Sequence, residues 1–155
     1  MDPITDTGNT TPNNDVKSGK MGQNQIDAEE EFVYLYEPST STPPSFVILF
    51  LGGAGLGQFP HISYSEMLTR ISHKLNASIL TAPYKTGLDH YELSKETGVV
   101  LHRALAQCRD REPERYTTST PKFLLGHSLG SKLWTISTAA MSDSDISGDS
   151  ELAGV

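Results

Sequence analysis

Gly126-His127-Ser128-Leu129-Gly130 sets one serine between two glycines, each two residues away. The apolar run Phe123-Leu124-Leu125 precedes it, and a helix-compatible segment follows it without interruption. That order suits a sharp strand-to-helix turn that exposes one hydroxyl at its bend. A serine in such a bend needs strained backbone, and Gly126 and Gly130 carry no Cβ, which lets strand and helix approach closely. Ser128 then stands at the start of a helix, where free N–H groups and the helix dipole favour a developing negative charge. These are the requirements of a serine nucleophile. The plain alternative is a turn that happens to contain a serine, because G-x-S-x-G alone is a weak pattern.

A turn of this kind must be held by a sheet and its helices, and the preceding chain supplies them. Phe32-Val33-Tyr34-Leu35-Tyr36 is dense in β-branched and aromatic residues and reads as a strand. After a Ser/Thr/Pro loop, Phe46–Leu51 is continuously apolar, as in a strand buried on both faces of a parallel sheet. It runs into Gly52-Gly53-Ala54-Gly55-Leu56-Gly57. Ser63-x-x-Glu66 offers a capping box ahead of Tyr64, Met67, Leu68, Ile71 and Leu75 at helical spacing. Ala77–Ala82 is another short apolar strand. Asp89-x-x-Glu92 opens a second helix, with Leu93, Thr97, Val100, Leu101, Ala104, Leu105 and Cys108 on one face. Strand and helix alternate up to the Ser128 turn, which predicts an α/β fold with a mostly parallel sheet flanked by helices.

The 155 residues carry a formal net charge of -7, unevenly placed. Residues 1–31 contribute -5, residues 142–155 contribute -4, and the middle is about +2. Residues 1–30, polar and almost without apolar spacing, are expected to be disordered. The α/β domain is expected over residues 31–141, with a flexible acidic tail at 142–155. Nothing resembles a basic nucleic-acid footprint, and no apolar run reaches the length of a membrane span. The single cysteine, Cys108, lies on the apolar helix face and is expected to be a buried thiol. No metal or cofactor is expected.

With these motifs assembled, the chain resembles the N-terminal half of an α/β-hydrolase. More narrowly, Phe50–Gly57, Thr81-Ala82-Pro83-Tyr84 followed by Leu88-Asp89-His90, and Gly126–Leu133 resemble one uncharacterised family. It is the α/β-hydrolase-like family called domain of unknown function 1350, found in photosynthetic organisms. The resemblance covers about residues 46–141. It implies a fold but no established substrate; the residues themselves suit a serine hydrolase of an ester, thioester or lipid acyl group, with Ser128 as nucleophile and a small-molecule or lipid-like substrate. By position, the backbone N–H groups of Ala54 and Leu129 form the oxyanion hole. Gly52, Gly53 and Gly55 let that loop approach, as Gly126 and Gly130 do at the turn. Cytoplasm is the default location; the family suggests a plastid, although no transit peptide is visible.

The triad does not close. In this fold an Asp or Glu and then a His follow the serine in the chain. His61, His73, His90, His102 and His127 all precede Ser128. His127 is expected to pack beside the turn and His73, His90 and His102 to lie on helix surfaces; His61 follows the glycine loop, where lining a site is the less favoured reading. Asp143, Asp145 and Asp149 lack the rigid strand end that a catalytic acid needs. The chain is therefore expected to be the front half of a longer protein, poorly soluble and inactive alone. The alternatives are a binding protein that kept the fold without the chemistry and a nucleotide-binding βα unit. The latter would use Gly53, Gly55 and Gly57, but Gln58 replaces the last glycine of G-x-G-x-x-G and Pro60 follows it.

Overall fold

The computed structural model describes residues 23–28 and 31–140. Five strands form one sheet: β1 (Gln23–Ala28), β2 (Glu31–Tyr36), β3 (Phe46–Leu51), β4 (Ala77–Thr81) and β5 (Lys122–Gly126), in the order β1-β2-β4-β3-β5. β3 pairs in parallel with β4 and with β5, while β2 runs antiparallel to both β1 and β4. Four strands thus point one way and β2 the other, so the mostly parallel, helix-flanked sheet is as expected. The helices are α1 (Pro60–Ser63), α2 (Ser65–Leu75), α3 (His90–Arg111) and α4 (Leu129–Ala140), with a 3-10 turn at Leu56–Gln58.

The continuous apolar run of β3 is explained by burial on both faces. Val47, Leu49 and Leu51 enter one core with Val100, Leu101, Leu105, Leu133 and Trp134. Ile48 and Phe50 enter the other with Tyr64 and Leu68. Successive side chains of a strand point to opposite faces, so one strand serves both layers. In α3 the predicted face is the buried one, from Thr97 and Val100 to Cys108. Asp89 caps it, accepting from the backbone N–H of Tyr91 and Glu92 at 3.1 and 3.0 Å. Cys108 is buried, and burial pushes its thiol up to about 12.

Within the run expected to be disordered through residue 30, Gln23–Ala28 form β1 and pair residue by residue with β2 from Gln23–Tyr36 to Ala28–Glu31. Their polar composition has little strand propensity, but propensity for strands depends on the partner, and here a complete ladder is on offer. Residues 1–22 and the acidic tail expected over 142–155 lie outside the described residues. The Ser63–Glu66 capping box does not form: the chain breaks between α1 and α2 at Tyr64, which has no side-chain cap, and Glu66 pairs with Arg70 instead. Met67 and Leu75 of α2 are exposed.

His102 is not a surface residue either. It stands edge-on to Trp134 and 3.3 Å from Nζ of the buried Lys122. Burial first, then the Lys122 and Arg109 charges, pull the imidazole down from 6.5 to about 4. Burial, with Arg109, likewise pulls Lys122 down to about 8. Between pH 6.5 and 4 the unfolded chain binds the His102 proton and the folded chain does not, so stability falls as pH falls through that window. Replacing His102 by glutamine is expected to flatten this part of the pH dependence. Denaturation midpoints of both proteins across the window measure it; parallel curves would contradict the assignment.

Candidate active site

The parallel strands β3, β4 and β5 end on the same side of the sheet, and three connections meet there: the glycine loop after β3, the Ala82–Asp89 segment after β4, and the turn after β5. Ligands of open α/β sheets bind at this carboxyl edge.

The turn is short. The backbone N–H of His127 bonds the carbonyl of Leu51 at 3.0 Å, which carries the strand register into the bend. Ser128 then adopts φ 54, in the left-handed region that costs a non-glycine residue about 1–3 kcal/mol. α4 begins at the next residue. A Cβ at Gly130 would stand 2.6 Å from the Gly52 carbonyl oxygen, and one at Gly126 would stand 2.5 Å from Cα of Ser131, so the crossing needs both glycines. Ser131 Oγ closes the turn by donating to the Gly126 carbonyl at 2.7 Å. Ser128 is exposed.

Most backbone donors around Ser128 are engaged. At the start of α4, Gly130 N–H bonds His127 O, and Ser131 and Lys132 N–H bond Ser128 O, leaving the N–H groups of Ser128 and Leu129 without an acceptor among the described residues. In the facing loop, Gly53 N–H bonds the Tyr64 hydroxyl and Gly55 N–H the Thr86 hydroxyl. Leu56, Gly57 and Gln58 N–H bond the carbonyls of Ala54, Gly53 and Gly55. Among the described residues, the Ala54 N–H in this loop has no acceptor. The loop and the turn touch: a Cβ at Gly53 would lie 3.4 Å from Ser128 Cβ and 2.9 Å from His127 Nδ1. This use of the glycine-loop donors leaves no cradle for a phosphate, and Pro60 starts only the four-residue α1.

Tyr84 braces the loop from the β4 side. Its hydroxyl donates to the Gly52 carbonyl at 2.5 Å, and burial with the Tyr64 charge raises it to about 12, so it stays a donor. A cavity of about 390 Å³ lies beside Pro83-Tyr84-Lys85 against Phe32, Leu93 and Val100. A second, of about 250 Å³, lies against Gln58 and Phe59.

The histidines are distributed. His127, expected to pack, is exposed, and its Nδ1 is hydrogen-bonded with the Tyr64 hydroxyl at 2.9 Å. His61 does not line the turn: it stacks on Tyr34 with ring centroids 4.2 Å apart, and burial lowers its pKa. His90 opens α3 and sits 3.0 Å from Lys132 Nζ. His73 is exposed and bonds Ser39. Among the described residues after Ser128 there is no Asp, Glu or His. No three described His, Cys, Asp or Glu side chains are grouped to hold a metal ion, and no described helix is long and apolar enough to cross a membrane. Sequence periodicity missed Tyr64 as a site residue, because it reads there simply as an apolar position.

The model of the family described as "Protein of unknown function (DUF1350)" matches residues 38–153, most of the chain. The chain belongs to this family. Three solved structures place the DUF1350 chain among α/β-hydrolase folds. The siderophore hydrolase EstB from Aspergillus fumigatus is 20% identical with a TM-score of 0.60, over 81% of this chain and 38% of that one. EstE5, soaked with p-nitrophenyl butyrate, is 18% identical with a TM-score of 0.56, over 76% and 38%. An esterase/lipase from an uncultured bacterium is 20% identical with a TM-score of 0.52, over 72% and 36%. No curated protein matches. The DUF1350 chain thus spans little more than a third of the length of these structures, and the likeness is one of fold.

Proposed function

We propose that this chain carries the front half of a serine hydrolase active site, with Ser128 as the nucleophile. What supports the reading is one arrangement: a serine held at φ 54 between β5 and α4, with the glycine loop packed against it at Gly53, and with the N–H groups of Leu129 and Ala54 lacking acceptors among the described residues. Ser128 Oγ attacks the carbonyl carbon of an ester, thioester or lipid acyl group, and its proton passes to a base. The carbonyl oxygen becomes an oxyanion that accepts from Ala54 and Leu129 N–H; collapse expels the alcohol or thiol, which takes up the proton. Water then releases the acid from the acyl-serine. Loss of one oxyanion donor typically costs about 2.7–4 kcal/mol of transition-state stabilisation, which is a reason for the Ala54 and Leu129 N–H groups to stay unbonded. The cavities beside Tyr84 offer apolar walls for the rest of the substrate.

The base and its acid belong, on this reading, to a part of the protein other than the described residues. The second reading, a binding protein that kept the fold without the chemistry, draws on the same observation: no described Asp, Glu or His follows Ser128. A fluorophosphonate probe applied to the full-length protein separates the two. Labelling at Ser128 that is lost on Ser128→Ala is the expected result; a folded protein that takes up no probe would establish the binding reading.

A further inference from the structure

The break between α1 and α2 turns one side chain inward. Tyr64, at φ −118 and ψ 2, belongs to neither helix and is buried. Its ring meets Phe50 edge-on, with centroids 4.9 Å apart, and fills the space a Cβ on Gly52 would need, 2.6 Å from the ring. The ring is therefore fixed, and the hydroxyl with it. That hydroxyl accepts from Gly53 N–H at 2.8 Å and lies 2.9 Å from His127 Nδ1. It bridges the glycine loop on one side and the residue before Ser128 on the other.

We propose that Tyr64 is a positioning residue that sets the glycine loop against the Ser128 turn and holds His127 as the tautomer protonated at Nε2. The loop-setting half rests on the reading of Ser128 as nucleophile; the tautomer half stands without it. A tyrosine hydroxyl has one proton to give. Gly53 N–H can only donate to its oxygen, so of its two partners among the described residues His127 Nδ1 is the one that can accept that proton, and a neutral imidazole that accepts at Nδ1 carries its own hydrogen on Nε2. His127 then has no free lone pair on either ring nitrogen. It is not the absent base, although it adjoins the nucleophile in sequence, and what its outer nitrogen offers a substrate oxygen is a donor. Gly53 N–H, anchored on Tyr64, in turn fixes the peptide next to Ala54 N–H. A phenylalanine would keep the packing and lose both bonds.

Nitrogen-15 spectra of the imidazoles in the full-length protein test this directly, with His127 assigned by its loss in His127→Gln. In mildly alkaline buffer the wild-type ring is expected as the Nε2–H tautomer, shifting to a mixture in Tyr64→Phe. A wild-type ring protonated at Nδ1, or a tautomer unmoved by Tyr64→Phe, would overturn the proposal, and the wild-type measurement decides even if the variant does not fold. Probe labelling of Ser128 supplies the second readout. Tyr64→Phe is expected to slow the labelling step about tenfold, the effect of one hydrogen bond, with half-saturating probe concentration unchanged. An unchanged rate would overturn the loop-setting role. Absence of labelling in the wild type would overturn the nucleophile reading and the loop-setting role with it, and leave the tautomer result to stand or fall by its spectrum.

Discussion

Gly130→Ala is expected to leave the chain unable to fold. The new Cβ would be driven into the carbonyls of Leu51 and Gly52, the latter at 2.6 Å, and both belong to the backbone where β3 ends. No rotamer change relieves a clash with backbone; α4 must lift or β3 must leave its ladder. β3 is the central partner of β4 and β5 and feeds both cores through Leu49 and Phe50. Ordinary overpacking costs about 1–3 kcal/mol because side chains adjust. Here the cost is expected at about 4 kcal/mol or more, a large part of the 5–15 kcal/mol that holds a typical domain together. Gly87→Ala is the internal control, since a Cβ there meets nothing within 4 Å and its stability should change little. Circular dichroism and denaturant titration of the two variants measure the difference. A folded Gly130→Ala protein within about 1 kcal/mol of wild type would mean that strand and helix do not cross this closely.

That prediction reads onto the sequence easily, and other parts of the site do not, for physical reasons. Gly126, Ser128 and Gly130 were legible because a strand-to-helix bend dictates residue types at fixed spacing, whatever surrounds it. β3 and α3 were legible because burial on two faces, or on one, imposes its own periodicity. Gln23–Ala28 escaped because its polar residues carry no strand pattern, and its pairing follows the backbone register of β2. His102 escaped because a helix face shows which residues turn inward only once α4 brings Trp134 and β5 brings Lys122 against it. Tyr116, inside the charged loop before β5, is buried and bonds Glu37 and Ser78 across more than thirty residues of sequence, a contact no local pattern encodes. Tyr64 is the most instructive case. Its ring obeys helical spacing, but its use at the site is a single hydroxyl reaching Gly53 and His127, and spacing carries no information about an oxygen.

Ser128→Gly is expected to move stability and chemistry in opposite directions. Ser128 holds φ 54, where a side chain costs about 1–3 kcal/mol and glycine rests freely. Glycine returns part of that gain through the greater freedom of the unfolded chain, about 0.4–1 kcal/mol. The net is a stabilisation of about 1 kcal/mol. Ser128→Ala keeps the Cβ and the strain, so its stability should stay near wild type. Both variants lose the hydroxyl. In the full-length protein, hydrolysis of an activated ester should fall by about 10⁶ in kcat, the size of loss seen when a serine nucleophile is removed. The pairing of the two effects is what discriminates. A serine that only fills a turn would give the stability gain with no loss of turnover. A strained residue kept for its reactivity gives both, and on that reading the strain persists because the hydroxyl must stand at the bend against the glycine loop at Gly53. Chemical denaturation and ester turnover on the same three proteins decide between them: a destabilised Ser128→Gly protein would contradict the strain, and undiminished turnover would contradict the nucleophile.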